Sequence, residues 1–258
     1  MVEYFLTSIL FFASLFSLQA HAADTLKVAI SPWYFPVVFE NSEGNTVGID
    51  IDVANLIAKK VGANIEFIVM PREKIGAAVA QGNADLGISA IEERSYLRGN
   101  ASAHVDSSKI KLVPYYDVPA VFVVRDKNID SLEKLKSKNI GTLSYFASRS
   151  TLADWSKSGL VGKTFGLESE IVLTNNLKLN RLDGILVTLP TALELIAKSN
   201  GSWHKLELKD PKKFIREPLA IVLPTEKSDR QKKISDVLDE IRESKKLSEI
   251  SAKWIDLP

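Results

Sequence analysis

Two aromatic side chains follow the first apolar run of the chain, where they can stack against a ligand. The run covers residues 26–30 (LKVAI), and Trp33 and Tyr34 come shortly after it in a loop that ends at Pro36. Flat aromatic rings offer a large contact area at a small cost in conformational entropy. Open α/β sheets bind ligands beyond the carboxyl ends of their strands, so a strand followed by exposed aromatics indicates a binding crevice.

Arginines and serines supply a second kind of chemistry, which is the binding of anions. Arg94 and Arg98 follow another apolar run at 85–89, and a guanidinium holds a carboxylate with two parallel charge-assisted hydrogen bonds. The segment 148–150 (SRS) stands at a predicted helix start, where free N–H groups and the helix dipole attract anions. Plain N-capping by one of its serines is the structural alternative.

The usual catalytic and metal-binding groupings are missing from the sequence. There is no cysteine, which excludes disulfides, thiol catalysis and a lipidated N-terminal cysteine. The histidines His21, His104 and His204 are isolated from one another, and no Ser/His/Asp elbow or phosphate-cradling glycine loop is present. We therefore expect no metal and no other cofactor.

Alternating strands and helices must position these residues. After the first strand, Ala54, Ile57, Ala58 and Val61 fall on one helical face, and Gly62 stands where that helix should end. The alternation predicts βαβ units with right-handed crossovers and a parallel sheet. Further strands are predicted at 64–70, 85–89, 119–125, 139–143, 171–174, 183–187, 203–208 and 218–223, and helices over 72–81, from 148 or 150, from 190, and around 234–241.

The composition and the first residues indicate an exported protein. The chain has 258 residues, 45% of them hydrophobic and 25% charged, which is enough for two lobes. Residues 1–22 lack Lys and Arg, carry an apolar run and end in Ala20-His21-Ala22, a small-x-small cleavage pattern. We predict a signal peptide, with an uncleaved membrane anchor as the alternative.

The charge balance excludes polyanionic partners. Removing residues 1–22 takes away only Glu3 from the 32 acids, so 33 basic residues face 31 acidic ones. A nearly neutral protein has no electrostatic basis for binding nucleic acid or an anionic membrane.

The order of strand, aromatic loop and helix resembles the periplasmic solute-binding proteins of amino-acid-type ABC importers, which form bacterial extracellular solute-binding protein family 3. The likeness rests on SPWYFP at 31–36, GNTVGIDIDVA at 44–54, a Pro-Tyr bend at 114–116 and the closing Lys253-Trp254. It implies an α/β fold with two doubly wound lobes joined by a two-strand hinge, the type II periplasmic binding architecture. After the signal at 1–22, the first lobe would comprise 24–116 and 218–258, and the second 117–217.

The resemblance implies that the ligand lies between the lobes, stacked on Tyr34 and Trp33 while Phe35 turns inward. The alternative is that these rings only cover the end of the sheet. Ser31 stands where binders of basic amino acids carry an acid, which argues against a cationic ligand side chain. The ligand-binding residues implied are Trp33, Tyr34, Ser89, Arg94, Ser148, Arg149, Ser150 and Thr188.

Ser89 and Arg94 are the residues that the resemblance assigns to a ligand carboxylate. The family's Thr-x-x-Arg pattern reads Ile91-Glu92-Glu93-Arg94 here, so the arginine is kept and the threonine is not. Arg98 is the second choice. The alternative is that both arginines lie on the surface and pair with the neighbouring glutamates.

Thr188 is the most informative departure from the family. The family's strand delivers an aspartate that binds the ligand's α-ammonium five residues after the position of Asp183, and this chain has Thr188 there. A buried ammonium without an acidic partner is costly. An organic acid, a dipeptide-like molecule and an amino acid bound in another way all remain open, as does a Thr188 that only packs the strand end.

The resemblance implies a monomeric periplasmic protein that binds a small, carboxylate-bearing solute and delivers it to an inner-membrane ABC permease, without catalysis. A dehydratase-like enzyme on the same scaffold is one alternative, but the candidate cleft residues include no carboxylate to act as acid or base. A ligand-sensing accessory subunit is the other.

Overall fold

The computed structural model describes residues 24–93, 96–98, 105–144, 146, 148–208 and 215–255. Within these ranges, no helix combines the length and the apolar character needed to cross a bilayer. The strands are β1 (Thr25–Ile30), β2 (Phe39–Glu40), β3 (Thr46–Val47), β4 (Asn64–Val69), β5 (Leu86–Glu92), β6 (Ile110–Val124), β7 (Ile140–Leu143), β8 (Thr164–Leu167), β9 (Gly184–Thr188), β10 (His204–Leu206) and β11 (Ile215–Pro224). The helices are α1 (Ile49–Val61), α2 (Ile75–Ala80), α3 (Ser148–Lys157), α4 (Glu170–Lys178), α5 (Leu189–Lys198), α6 (Asp229–Glu243) and α7 (Lys246–Ile255).

The protein has two α/β lobes that share the long strands β6 and β11. The sheet order is β4-β1-β5-β11-β6-β9-β7-β8, with β10 also paired to β6. In the first lobe β4, β1 and β5 are parallel, and in the second lobe β8, β7 and β9 are parallel. Between these two parallel blocks, β11 and β6 run antiparallel to their neighbours. The predicted fold class, two doubly wound lobes with a two-strand hinge, is confirmed.

Each lobe buries apolar side chains on both faces of its part of the sheet. In the first lobe one core contains α1 and α6 residues such as Ile57 and Leu238, and the other contains Ile75 and Val79 of α2. In the second lobe, Leu152 of α3 belongs to one core and Leu173 of α4 to the other. This division is why two lobes remain distinct although hydrogen bonding along the sheet is continuous.

The first helix forms as the sequence predicts. Ile57 and Ala58 on its apolar face are buried, and Gly62 ends it with φ 76°, a left-handed conformation that glycine adopts without steric cost. The closing Lys253-Trp254 pair docks on the same helix, because Lys253 Nζ and Trp254 Nε1 both donate to Asp52 Oδ2 at 2.8 Å. The C-terminal helix is therefore held on the first lobe.

The prediction of a strand at 171–174 is wrong. These residues lie in α4, whose N-cap is Ser169, with its hydroxyl accepting a hydrogen bond from Val172 N. The strand of this region is β8, Thr164–Leu167, which the sequence analysis missed. An apolar run of four residues is too short for periodicity to separate strand from helix.

The predicted bend at 114–116 is instead a bulge inside β6. Leu219 pairs with Tyr116 and Ala220 with Pro114, so Tyr115 has no partner across the ladder. The bulged residue turns its side chain inward, where it is 3% exposed. The strand then continues into the second lobe without a break.

Candidate functional site

The two lobes touch through the hydroxyl groups of Tyr34 and Thr188. Tyr34 lies in the loop after β1 of the first lobe, and Thr188 ends β9 of the second lobe. Their hydroxyls are hydrogen-bonded to each other, and Thr191 Oγ1 lies 3.2 Å from Thr188 Oγ1 and 3.5 Å from Tyr34 Oη. Burial raises the pKa of Tyr34 well above its usual value, so the ring keeps its proton and remains neutral.

A tight loop presents the aromatic residues. Trp33 N and Tyr34 N both donate to Val38 O, at 3.0 and 2.7 Å, and Val37 N donates back to Tyr34 O at 2.8 Å. The peptide bond between Phe35 and Pro36 is cis. The prediction that Phe35 turns inward is wrong, because its side chain is 46% exposed and packs edge-on against Phe39 with 4.8 Å between ring centroids.

Trp33 lies beside Tyr34 and an arginine that the sequence analysis did not single out. The two rings are 4.9 Å apart between centroids, and Trp33 remains 46% exposed. The Arg72 guanidinium carbon lies 5.2 Å from the Trp33 centroid and 5.5 Å from that of Tyr96, within cation–π range. Arg72 also pairs with Glu92 and donates to Ala90 O at 3.3 Å. The aromatic corner therefore holds a guanidinium whose charge is balanced by Glu92.

Hydrogen bonds to the aromatic loop hold the end of β5 in place. Ser89 is fully buried, and its Oγ donates to Ser31 O at 2.7 Å and accepts from Ser31 N at 3.0 Å. Its carbonyl accepts the Trp33 indole N–H at 3.4 Å. The Ser89 hydroxyl thus ties the aromatic loop to β5.

Ala90, the next residue, has φ 45°, a left-handed conformation that costs a non-glycine residue free energy. The buried Asp50 of α1 holds it, since Asp50 Oδ2 accepts from Ala90 N at 2.7 Å while Oδ1 accepts the Tyr115 hydroxyl. Burial raises the pKa of the Asp50 carboxyl to about 7. One carboxyl therefore links α1, the end of β5 and the bulge of the hinge strand.

The start of α3 already holds a carboxylate of the chain. Ser148 N donates to Glu217 Oε1 at 2.7 Å, and both residues are 1% exposed. Arg149 is exposed and its side chain lies over Gly166 of β8, at a position that a Cβ there would occupy. Ser150 is exposed on the first turn. Ser148 is therefore the member of the predicted 148–150 anion site that lies deepest.

Arg94 and Arg98 are the arginines that the sequence predicts to bind a carboxylate. Arg94 lies outside the described residues. Arg98 belongs to a short 3₁₀ turn, Tyr96–Arg98, but its side chain also lies outside the described part of the structure.

Three residues close to the predicted ones were missed, namely Arg72, Thr191 and Glu217. Arg72 comes two residues after Met70, at the carboxyl end of a predicted parallel strand, which is a position that could have drawn attention. Thr191 follows Thr188 by one helical turn. Glu217 precedes the apolar run 218–223, and no local pattern marks it as buried.

An apolar pocket of about 280 Å³ also spans the lobes, on the side of the loop that carries Phe35. Its wall includes Val118 of the hinge, Leu189 and Leu193 of α5, and Trp254 of α7. A pocket that offers almost no polar groups cannot orient a charged or zwitterionic solute. The polar region around Tyr34 and Thr188 therefore suits such a solute better than this pocket does.

Comparison with known proteins identifies the family. The sequence profile of the bacterial extracellular solute-binding proteins, family 3, matches residues 26–257. A protein of Neisseria gonorrhoeae named a probable histidine-binding protein is 24% identical over 241 residues, covering 91% of this chain and 84% of that protein.

Solved structures agree in fold. An ancestral arginine-binding protein bound to arginine is 25% identical, covers 91% of this chain and 100% of its own, and superposes with a TM-score of 0.57. The second substrate-binding domain of GlnP from Lactococcus lactis, in an open conformation, is 18% identical with a TM-score of 0.64 and covers 92% of this chain and 97% of its own. Because the family profile spans nearly the whole chain after its first residues, this chain belongs to the bacterial extracellular solute-binding proteins, family 3.

Proposed function

We propose that this chain captures an amino acid, or a related organic acid, between its two lobes and delivers it to an ABC permease of the inner membrane. The observation that carries the proposal is the direct contact between Tyr34 and Thr188, which brings the aromatic loop of one lobe to the end of β9 on the other. A ligand placed beside this contact touches both lobes at once. The lobes that we propose are 24–116 with 218–258, and 117–217.

The named relatives support an amino acid as the solute. Besides the histidine-binding and arginine-binding proteins described above, an Escherichia coli relative, 22% identical over 236 residues, is named an L-cystine-binding protein. All three names specify amino acids, which share an α-carboxylate and an α-ammonium. The proposal therefore rests on the α-carboxylate and the α-ammonium that these solutes share, and not on any particular side chain of the ligand.

A carboxylate on the ligand would be met by the first lobe. Arg72, held between Trp33 and Tyr96, and Arg94 are the guanidinium groups that we propose for this role, with Ser89 supporting the loop. Trp33 and Tyr34 would stack against the rest of the solute. Ser148, Arg149, Ser150 and Thr188 would line the second lobe.

Closure follows from two-sided contact. A ligand shifts an equilibrium between open and closed lobes only if it binds the closed form better, and contacts from both lobes provide that difference. We propose that residues 1–22 direct export to the periplasm, and that the closed monomer is the form that docks on the permease.

A thermal-shift screen of the mature chain against amino acids, organic acids and dipeptides tests this proposal. A compound present at about 100 times its Kd should stabilise the protein by about 2.7 kcal/mol. For a domain of this size that corresponds to a rise in melting temperature of roughly 5 to 10 °C. A screen in which no amino acid and no organic acid raises the melting temperature, at concentrations up to about 10 mM, would contradict the proposal.

A further inference from the structure

Glu217 is a fully buried carboxylate at the join between the lobes. It is 1% exposed, and its Oε1 accepts a 2.7 Å hydrogen bond from Ser148 N, the first backbone amide of α3. Burying a carboxylate costs several kcal/mol unless hydrogen bonds or opposite charge compensate. The N-terminus of a helix supplies both free N–H groups and a positive dipole end. The start of α3 therefore stabilises the Glu217 carboxylate in its buried position.

The register of the hinge strands places Glu217 close to the interlobe contact. On β6, Val118 pairs with Glu217 on one side, and Ala120 pairs with Thr188 on the other. Strands lie about 4.8 Å apart and rise about 3.4 Å per residue, so the Cα atoms of Glu217 and Thr188 are on the order of 12 Å apart. Val118 of β6 packs in a core of the first lobe, whereas Ala120 packs in a core of the second lobe. Glu217 thus lies at the base of the gap between the lobes.

A second observation at the same place points to a ligand. Ser148 is 1% exposed, and among the described residues its Oγ has no hydrogen-bond partner. A buried hydroxyl that is left unpaired costs about 1–3 kcal/mol. A ligand group that donates hydrogen bonds would satisfy this hydroxyl and would lie next to the Glu217 carboxylate.

Because Glu217 occupies the start of α3, this part of the site favours a positively charged group of the ligand. Glu217 already takes the position at α3 that an anionic ligand group would need, and a second carboxylate beside it would be repelled. A protonated amine, with three N–H donors and a positive charge, fits the carboxylate and the hydroxyl together.

We propose that Glu217, assisted by Ser148, is the specificity-determining residue that pairs with the ammonium group of the bound solute. The inference rests on the proposed function. The solute is then a zwitterion whose carboxylate faces Arg72 of the first lobe and whose amine faces the hinge and α3. Solutes that bring a second carboxylate to α3 are rejected.

Calorimetry with Glu217→Gln tests the inference, because glutamine keeps an oxygen to accept the Ser148 N–H while removing the charge. The probes are L-arginine, L-histidine and L-glutamine, each with its deaminated counterpart 5-guanidinopentanoate, 3-(imidazol-4-yl)propionate or glutaramate. For the amino acid that binds the wild type, we expect a loss of at least tenfold in affinity, and less than threefold for its counterpart. Ser148→Ala should weaken the same amino acid about threefold.

Glu168→Gln, which removes an exposed carboxylate from the same lobe, is the matched control and should leave all affinities unchanged. Equal losses for an amino acid and its counterpart would mean that Glu217 only caps α3, and this would overturn the inference. So would an affinity within twofold of wild type in Glu217→Gln, although the proposed function would stand. If the wild type binds a deaminated counterpart but none of the three amino acids, the inference fails, although the proposed capture of an organic acid would stand.

Discussion

Replacing Asp50 with asparagine is expected to remove the loss of stability that this buried carboxyl causes as the pH rises from about 4 to about 7. In the folded protein, burial raises the pKa of this carboxyl from 3.8 to about 7. The folded state then binds a proton that the unfolded state has lost, so the free energy of unfolding falls as the pH rises through this window. A difference of about three pKa units corresponds to on the order of 4 kcal/mol.

Asparagine resembles the protonated carboxyl in shape, and its oxygen can accept from Ala90 N. The Tyr115 hydroxyl, which donates to Asp50 in the wild type, can rotate and accept from the asparagine amide. Urea unfolding at pH 4.5 and pH 8 measures the effect. The stability of Asp50→Asn relative to wild type should rise by several kcal/mol between these two values. Asp236→Asn, at an exposed position of α6, provides the control. A relative stability that stays constant across this range would show that Asp50 is not protonated in the folded state.

Replacing Tyr34 with alanine is expected to weaken amino-acid binding by about 100-fold. The change removes an aromatic ring that buries about 150–250 Å² and also removes the hydroxyl contact with Thr188 and Thr191 on the opposite lobe. Central aromatic residues of binding sites contribute about 2–4 kcal/mol when truncated, and 2.7 kcal/mol corresponds to 100-fold. Tyr34→Phe keeps the ring, so its loss should be about fivefold.

Calorimetry with the amino acid found in the screen compares these variants. Phe35→Ala is a matched control, because Phe35 belongs to the same loop but packs against Phe39, and its affinity should stay within twofold of wild type. If Tyr34→Ala binds as tightly as the wild type, the ligand does not lie at the interlobe contact.

Elements with strong periodic or terminal signals could be predicted from the sequence. Ile57 and Ala58 recur on the apolar face of α1, and Gly62 ends the helix in a conformation that favours glycine. The segment 171–174 was misassigned because isoleucine, valine and threonine favour strands, whereas Ser169 two residues earlier starts a helix. The helix cap and the packing of Leu173 and Leu177 in the core therefore outweigh the local preference for a strand.

The candidate site could be predicted only where it depends on one segment. Tyr34 comes shortly after β1, and Thr188 is the last residue of β9. Both therefore lie at the carboxyl ends of parallel strands, where the topology of such sheets places a ligand site. The partnership between Ser148 and Glu217 joins residues 69 positions apart. It depends on the register of β11 against β6, which no local pattern specifies. Arg72 likewise acquires its place from Trp33 and Tyr96, on two other segments.

Förster transfer between dyes on the two lobes tests the central claim most directly. Because the sequence contains no cysteine, a Glu73→Cys, Glu168→Cys double variant can be labelled selectively at exposed sites just beyond β4 and β8, the outermost strands of the two lobes. With the amino acid from the screen at saturation, and with its affinity unchanged by labelling, we expect one population at higher transfer efficiency than without it. A transfer efficiency that the bound amino acid leaves unchanged would contradict the claim that the solute is held between the lobes.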